Sequence, residues 1–432
     1  MSRFKSTDTH KKMRTWLWLL LSLLVSGTTW VYTHRVLVPW EYQVNVVGGR
    51  VIAQMGDLYP RWVGARALLM HRHNPYGTQV SHEIQMGFYG HPVVQSFEQT
   101  ARTPVDEQRF AYPVFVVFLL APTIHLPFPY VQSGAEIVLA FLTAASTLLW
   151  LEFLRWRPSR LTRVALTLFV LTSPQIVQGL RFRQLGLVVG FLLACAAWCV
   201  SKNHLATAGM LLAVSTIKPQ MVLLALLWFL LWAASEWRSR WRLLAGFGGM
   251  LAVLVGTGEL LLPGWIGYFL EGVAAYPKYF PVISLLEVAV GHRLGNILAG
   301  IMIAILLGFA WKHRKHAGDS QGFAGMLAAF FLATTLAMPL LPPFNQMTLV
   351  LPVLMLVRDW PVLRSWVRLL LAFCVGWPWI AMLVVLLFLH RIPAPSALAL
   401  LPSFVAPSVP FILSLLLAAR QKSPPTPTTP AL

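Results

Sequence analysis

The sequence predicts an all-α polytopic membrane protein, and three observations carry that class. Hydrophobic residues fill 57% of the 432 positions and charged residues only 11%, against roughly a quarter charged in soluble domains. The apolar residues fall in runs of helical length rather than short alternating ones, and hydrocarbon admits only helices or closed barrels. Lys and Arg concentrate in alternate connections, as the positive-inside rule requires of a chain that crosses repeatedly. This distribution accounts for most of the net charge of +19. The basic excess therefore reads as a topology signal and a surface for membrane lipids, not as a nucleic-acid patch.

Each element follows in order. Residues 1–14 are polar and basic (Arg3, Lys5, Lys11, Lys12, Arg14), which makes them a cytoplasmic N-terminus. The first span, at about 15–37, has no small-residue cleavage site and reads as a retained helix rather than a signal peptide. Residues 38–129 then form a long extracytoplasmic loop. Within it, Leu58, Trp62, Ala65 and Leu69 recur at helical spacing with Arg61, Arg66 and Arg72 beside them, the pattern of a helix lying in the membrane interface. Residues 112–127 are apolar but short and bounded by prolines. If they crossed, Arg155, Arg157, Arg160 and Arg163 would fall outside, so they are expected to form a juxtamembrane or re-entrant helix.

Spans follow at about 130–152, 161–179, 184–200, 204–217, 219–235, 243–262, 291–311, 322–341, 344–358, 366–389 and 397–418, which makes about twelve transmembrane helices in one domain over 15–418. A second extracytoplasmic loop is expected at 263–290, and the Pro/Thr-rich residues 419–432 form a disordered cytoplasmic tail.

Several chemistries have little support. The chain shows no internal repeat, no Gly-rich phosphate loop and no His/Cys cluster at metal-ligand spacing. His71 and His73 lie two apart in a loop, too few for a ligand set. Three cysteines cannot build a disulfide framework, and Cys195 and Cys199 read as packing residues.

On this topology several polar groups collect on the outer face: Asp57, then Arg181 to Gln184, Lys218 before Pro219, Glu259, Glu271, Tyr276 and Lys278, and Asn345-Gln346 after Pro342-Pro343. Ionisable groups at membrane depth line a cavity or pair with one another. One carboxylate among several cations suits a reaction in which a base deprotonates an acceptor hydroxyl while cations hold a phosphate leaving group. Plainer readings compete. Asp57 can be an N-cap, Arg181 and Arg183 can snorkel to headgroups, and Asn345 and Gln346 can satisfy backbone freed by the prolines.

The stretch Gly56-Asp57-Leu58-Tyr59-Pro60-Arg61-Trp62, followed by Asn74-Pro75-Tyr76-Gly77, resembles the first-loop pattern of glycosyltransferase family 87. Gln108 to Val114 resembles that family's second juxtamembrane segment, Arg183-Gln184-Leu185-Gly186 its Gly-Gln-Val-Asn stretch, and Ala208 to Pro219 its Gly…Lys-Pro stretch. Two departures stand out. Arg183 replaces a frequent glycine, and Pro343-Phe344-Asn345-Gln346 stands where mannosyltransferase members often carry a Trp-Asp-His-type segment.

The resemblance implies a glycosyltransferase-C fold in the cell membrane and a polyprenyl-phosphate-linked sugar as donor. The acceptor would be a lipid or glycan hydroxyl on the extracytoplasmic side, and no cofactor or metal is required. It implies Asp57 as the catalytic base. Lys218, with Arg183 and Gln184, would bind the donor phosphate, and Tyr59, Arg61, Asn345 and Gln346 would line the substrate pocket. A transporter or flippase of lipid-linked sugars, or a ligase or polymerase of lipid-linked glycans, is the alternative.

Overall fold

The computed structural model describes residues 2–47, 55–93, 107–275, 283–339, 343–388 and 413. Every regular element among them is helical. Among the described residues, five runs are long and apolar enough to cross a membrane: Trp16–Trp40, Phe128–Phe153, Trp237–Leu261, His292–His313 and Ser365–Phe388.

The first of these belongs to α1 (Ser2–Tyr32), which continues through a π turn at Thr33–Leu37 into α2 (Val38–Val47). The described part of the first loop carries α3 (Leu58–His71), α4 (Thr78–Tyr89) and the short α5 (Val116–Leu120), which ends in a 3-10 turn at Ala121–Thr123. Then come α6 (Phe128–Phe153), α7 (Arg160–Leu171), α8 (Pro174–Arg181), α9 (Gly186–Ser201), α10 (Leu205–Ser215), α11 (Pro219–Ser235) and α12 (Trp237–Leu261). The described part of 263–290 holds α13 (Trp265–Ala275) and α14 (Leu285–Val290). The described residues continue with α15 (His292–His313), α16 (Gln321–Ala337), a 3-10 segment at Pro343–Leu349, α17 (Val350–Arg358) and α18 (Ser365–Phe388).

Three differences from the sequence reading have physical causes. The stretch 161–179 is not one helix. Thr172 and Ser173 turn their hydroxyls back to the carbonyls of Leu168 and Val170, and Pro174, which has no N–H to continue the ladder, starts a new helix. The stretch 344–358 is a 3-10 segment and a nine-residue helix rather than one span. The apolar stripe of α3 is covered by protein. Leu58, Trp62 and Ala65 are buried, Trp62 packs on Phe128 at 5.3 Å, and its indole N–H donates to Thr123 O at 3.2 Å. Residues 112–127 hold only α5 and its 3-10 turn, well short of the roughly 20 residues a crossing needs. Apart from Leu413, the stretch 397–418 lies outside the described residues, as does the tail.

The shorter apolar helices sit inside the molecule. Twelve of the sixteen residues of α9 are buried, and an all-round apolar helix needs such a position. Helices α10 and α12 cross backbone to backbone. A Cβ at Gly209 would lie 2.1 Å from Leu243 O, and one at Gly246 would lie 2.2 Å from Ala206 O, so only glycine permits this approach.

The 26 residues of α6 span about 39 Å at 1.5 Å per residue. Phe128, at its start, packs on Tyr59 and Trp62 of α3. Past its other end, Arg155 pairs with Asp319, and both line a cavity of about 340 Å³ with Arg358. The first loop and the arginine-bearing connection thus occupy opposite ends of one helix.

Candidate active site

Gly56 makes the first constraint. It has φ +64°, a left-handed conformation, and a Cβ there would lie 2.8 Å from Phe182 O. This close approach lets Asp57 N donate to Phe182 O at 2.8 Å, which ties the first loop to the turn between α8 and α9. Asp57 occupies the N-cap position of α3, but its side chain makes no capping bond. Its Oδ2 instead accepts from Gln184 Nε2.

From there a polar chain runs through the site. Gln184 Oε1 accepts from Lys218 Nζ at 3.1 Å, and Lys218 Nζ also donates to Asn345 Oδ1 at 2.8 Å. Gln184, Lys218 and Asn345 are all buried. The orientation of the Gln184 amide follows from its neighbours, because a carboxylate only accepts and an ammonium only donates. Lys218 Nζ also lies 5.2 Å from the Phe344 ring centroid, and Phe344 meets Phe182 edge to face at 6.2 Å.

Local sequence explains the convergence. Asp57, Gln184 and Lys218 stand just ahead of α3, α9 and α11, so three helix N-termini approach one place. Pro219 starts α11 without needing a backbone donor. Helix N-termini carry partial positive charge and suit an anion. Burial is the largest influence on the Asp57 carboxyl and raises it above the usual carboxylate range, while Arg61 and Lys218 act in the opposite direction.

The other expected residues are distributed unevenly. Arg61, one turn into α3, donates from Nη1 to Asp57 O at 2.7 Å and stacks its guanidinium 4.6 Å from the Tyr112 ring centroid. Gln346 is buried beside Asn345. Tyr59 is packed among Phe88, Phe128 and Trp62, in the aromatic wall rather than the polar chain. Arg183 has φ +50°, which explains a glycine elsewhere at this position, and its guanidinium reaches Glu136 at 3.5 Å and Arg181 O at 2.5 Å. Glu259 accepts from Gly264 N at 2.7 Å, a loop-holding contact, and Glu271 is exposed. Tyr276 and Lys278 lie outside the described residues.

Two residues were missed. Tyr112 is buried against Arg61, and its only signal was a place in a recognisable motif. Glu136 is a carboxylate well inside the apolar run of α6, a signal that was available.

The profile of glycosyltransferase family 87 matches residues 110–339, more than half of the chain, and takes in Gln184 and Lys218. No curated protein and no solved structure matches the chain. With its run of apolar helices, the chain belongs to glycosyltransferase family 87 and is a membrane glycosyltransferase.

Proposed function

We propose that this chain moves a sugar from a polyprenyl-phosphate donor to a lipid or glycan hydroxyl at the extracytoplasmic membrane face, with inversion. The observation that carries this reading is the hydrogen-bonded chain from Asp57 through Gln184 to Lys218 and Asn345, which sets a buried carboxylate beside a buried ammonium.

Asp57 takes the proton of the acceptor hydroxyl. The freed oxygen bonds to the anomeric carbon from the face opposite the phosphate. The bond from that carbon to the phosphate oxygen breaks, and its electron pair leaves with polyprenyl phosphate. Lys218 holds the departing oxygen, assisted by the three helix N-termini. A carboxyl raised by burial is the stronger base once ionised, which suits this role. Arg183 is engaged with Glu136, so the phosphate role rests chiefly on Lys218.

On this reading the chain adopts a glycosyltransferase-C fold in the cell membrane. The loops at 38–129 and 263–290 lie outside, and residues 1–14 and 419–432 lie in the cytoplasm. A lipid-linked donor suits a site built at helix ends within an apolar bundle. Purified protein in detergent, given labelled sugar either on polyprenyl phosphate or on a nucleotide, tests this. Transfer from the lipid donor alone is the expected result, and transfer from the nucleotide sugar alone would overturn the donor assignment.

A further inference from the structure

The charges around Asp57 do not balance. Lys218 and Arg61 both act on its carboxylate; burial pushes the Lys218 ammonium down to about 7, and an anion bound beside it favours the charged form, so in the loaded site one carboxylate faces two cations. Arg61 is held in place from two sides, by its bond to Asp57 O and by the Tyr112 ring under its guanidinium. Among the described residues its buried Nε has no hydrogen-bond partner. Buried charge is costly unless it is compensated, and a surplus cation with an unused donor asks for an anion.

We propose that Arg61 is the second cation of the phosphate site and that it acts on the dianion formed when the sugar leaves. This inference rests on the donor assignment above. Before transfer the donor is a phosphodiester with one negative charge. With ionised Asp57 it balances Lys218 and Arg61. During transfer the acceptor proton moves to Asp57, which becomes neutral. The leaving group is a phosphate monoester, whose second pKa of about 6 gives it two negative charges near neutral pH. Two cations again face two negative charges. The site is neutral at both ends of the reaction only if Arg61 takes part. Tyr112, from the second juxtamembrane segment, is the positioning residue that keeps the guanidinium in place.

The test is binding of geranylgeranyl monophosphate and of its methyl diester to purified protein at pH 7.5. Asp57→Asn is used to imitate the neutral, protonated carboxyl of the product state. Asp57→Asn should bind the monophosphate at least about tenfold more tightly than wild type, as removal of a nearby like charge implies. Adding Arg61→Gln to Asp57→Asn should abolish most of that gain and should weaken the diester much less. Arg61→Lys in the same background should retain part of it. If Arg61→Gln weakens the monophosphate and the diester equally, Arg61 only supports the loop through Asp57 O and the inference is overturned. If Arg61→Gln changes neither, it is overturned outright. Failure of wild type and of Asp57→Asn to bind either lipid would overturn the donor assignment instead.

Discussion

Replacing Lys218 with methionine probes the phosphate role. Methionine keeps most of the side-chain length, but it removes the charge. Lys218 is 5% exposed, and its Nζ bonds to Gln184 and Asn345. A hydrogen bond to a charged group is worth about 1.5–3 kcal/mol. At 1.36 kcal/mol per tenfold, one such bond to the leaving phosphate corresponds to a loss of roughly ten- to two-hundredfold in kcat/KM. Lys218 also pulls the Asp57 carboxyl downward against the larger upward effect of burial. Without it the carboxyl titrates at higher pH. Because the base works only when ionised, the acidic limb of the rate profile should move upward. Steady-state transfer at varied donor concentration and pH, with thermal unfolding as a folding control, measures both effects. A folded Lys218→Met protein with unchanged donor kinetics and an unmoved acidic limb would refute the reasoning.

Two further outcomes follow from the loop and the topology. Gly56→Ala forces a Cβ toward Phe182 O in a left-handed conformation, so it should lower transfer by at least about tenfold through displacement of Asp57. Normal transfer by Gly56→Ala would show that this contact does not position the base. Ser159→Cys should resist a membrane-impermeant thiol reagent in intact cells and react after permeabilisation. Labelling of intact cells would place the Arg155 to Arg163 connection outside.

The membrane class was readable from bulk composition, because lipid leaves only helices or barrels and the apolar runs have helical length. The grouping of Asp57, Gln184, Lys218 and Asn345 was readable from topology, since alternate crossings put these positions at one end of the helices. What topology could not supply was lateral placement. Arg183 and Gln184 are sequence neighbours, yet one reaches Glu136 and the other bridges Asp57 to Lys218. The left-handed turn at Arg183 separates them, next to the tertiary contact between Gly56 and Phe182. The buried side of α3 was misjudged for a related reason. An apolar stripe looks the same whether lipid or Phe128 covers it. The break at Ser173-Pro174 was visible in the residues, but the apolar run around it masked the proline.

The most direct measurement of the central claim is single-turnover transfer by Asp57→Asn from a prebound polyprenyl-phosphate sugar. Asparagine has nearly the shape of aspartate and keeps an oxygen to accept from Gln184 Nε2, but it cannot take a proton at neutral pH. General-base help is worth about 10²–10⁴-fold. The account predicts donor binding retained and transfer slowed by at least about a hundredfold. Transfer at a near wild-type rate in a folded, donor-bound Asp57→Asn protein would contradict it.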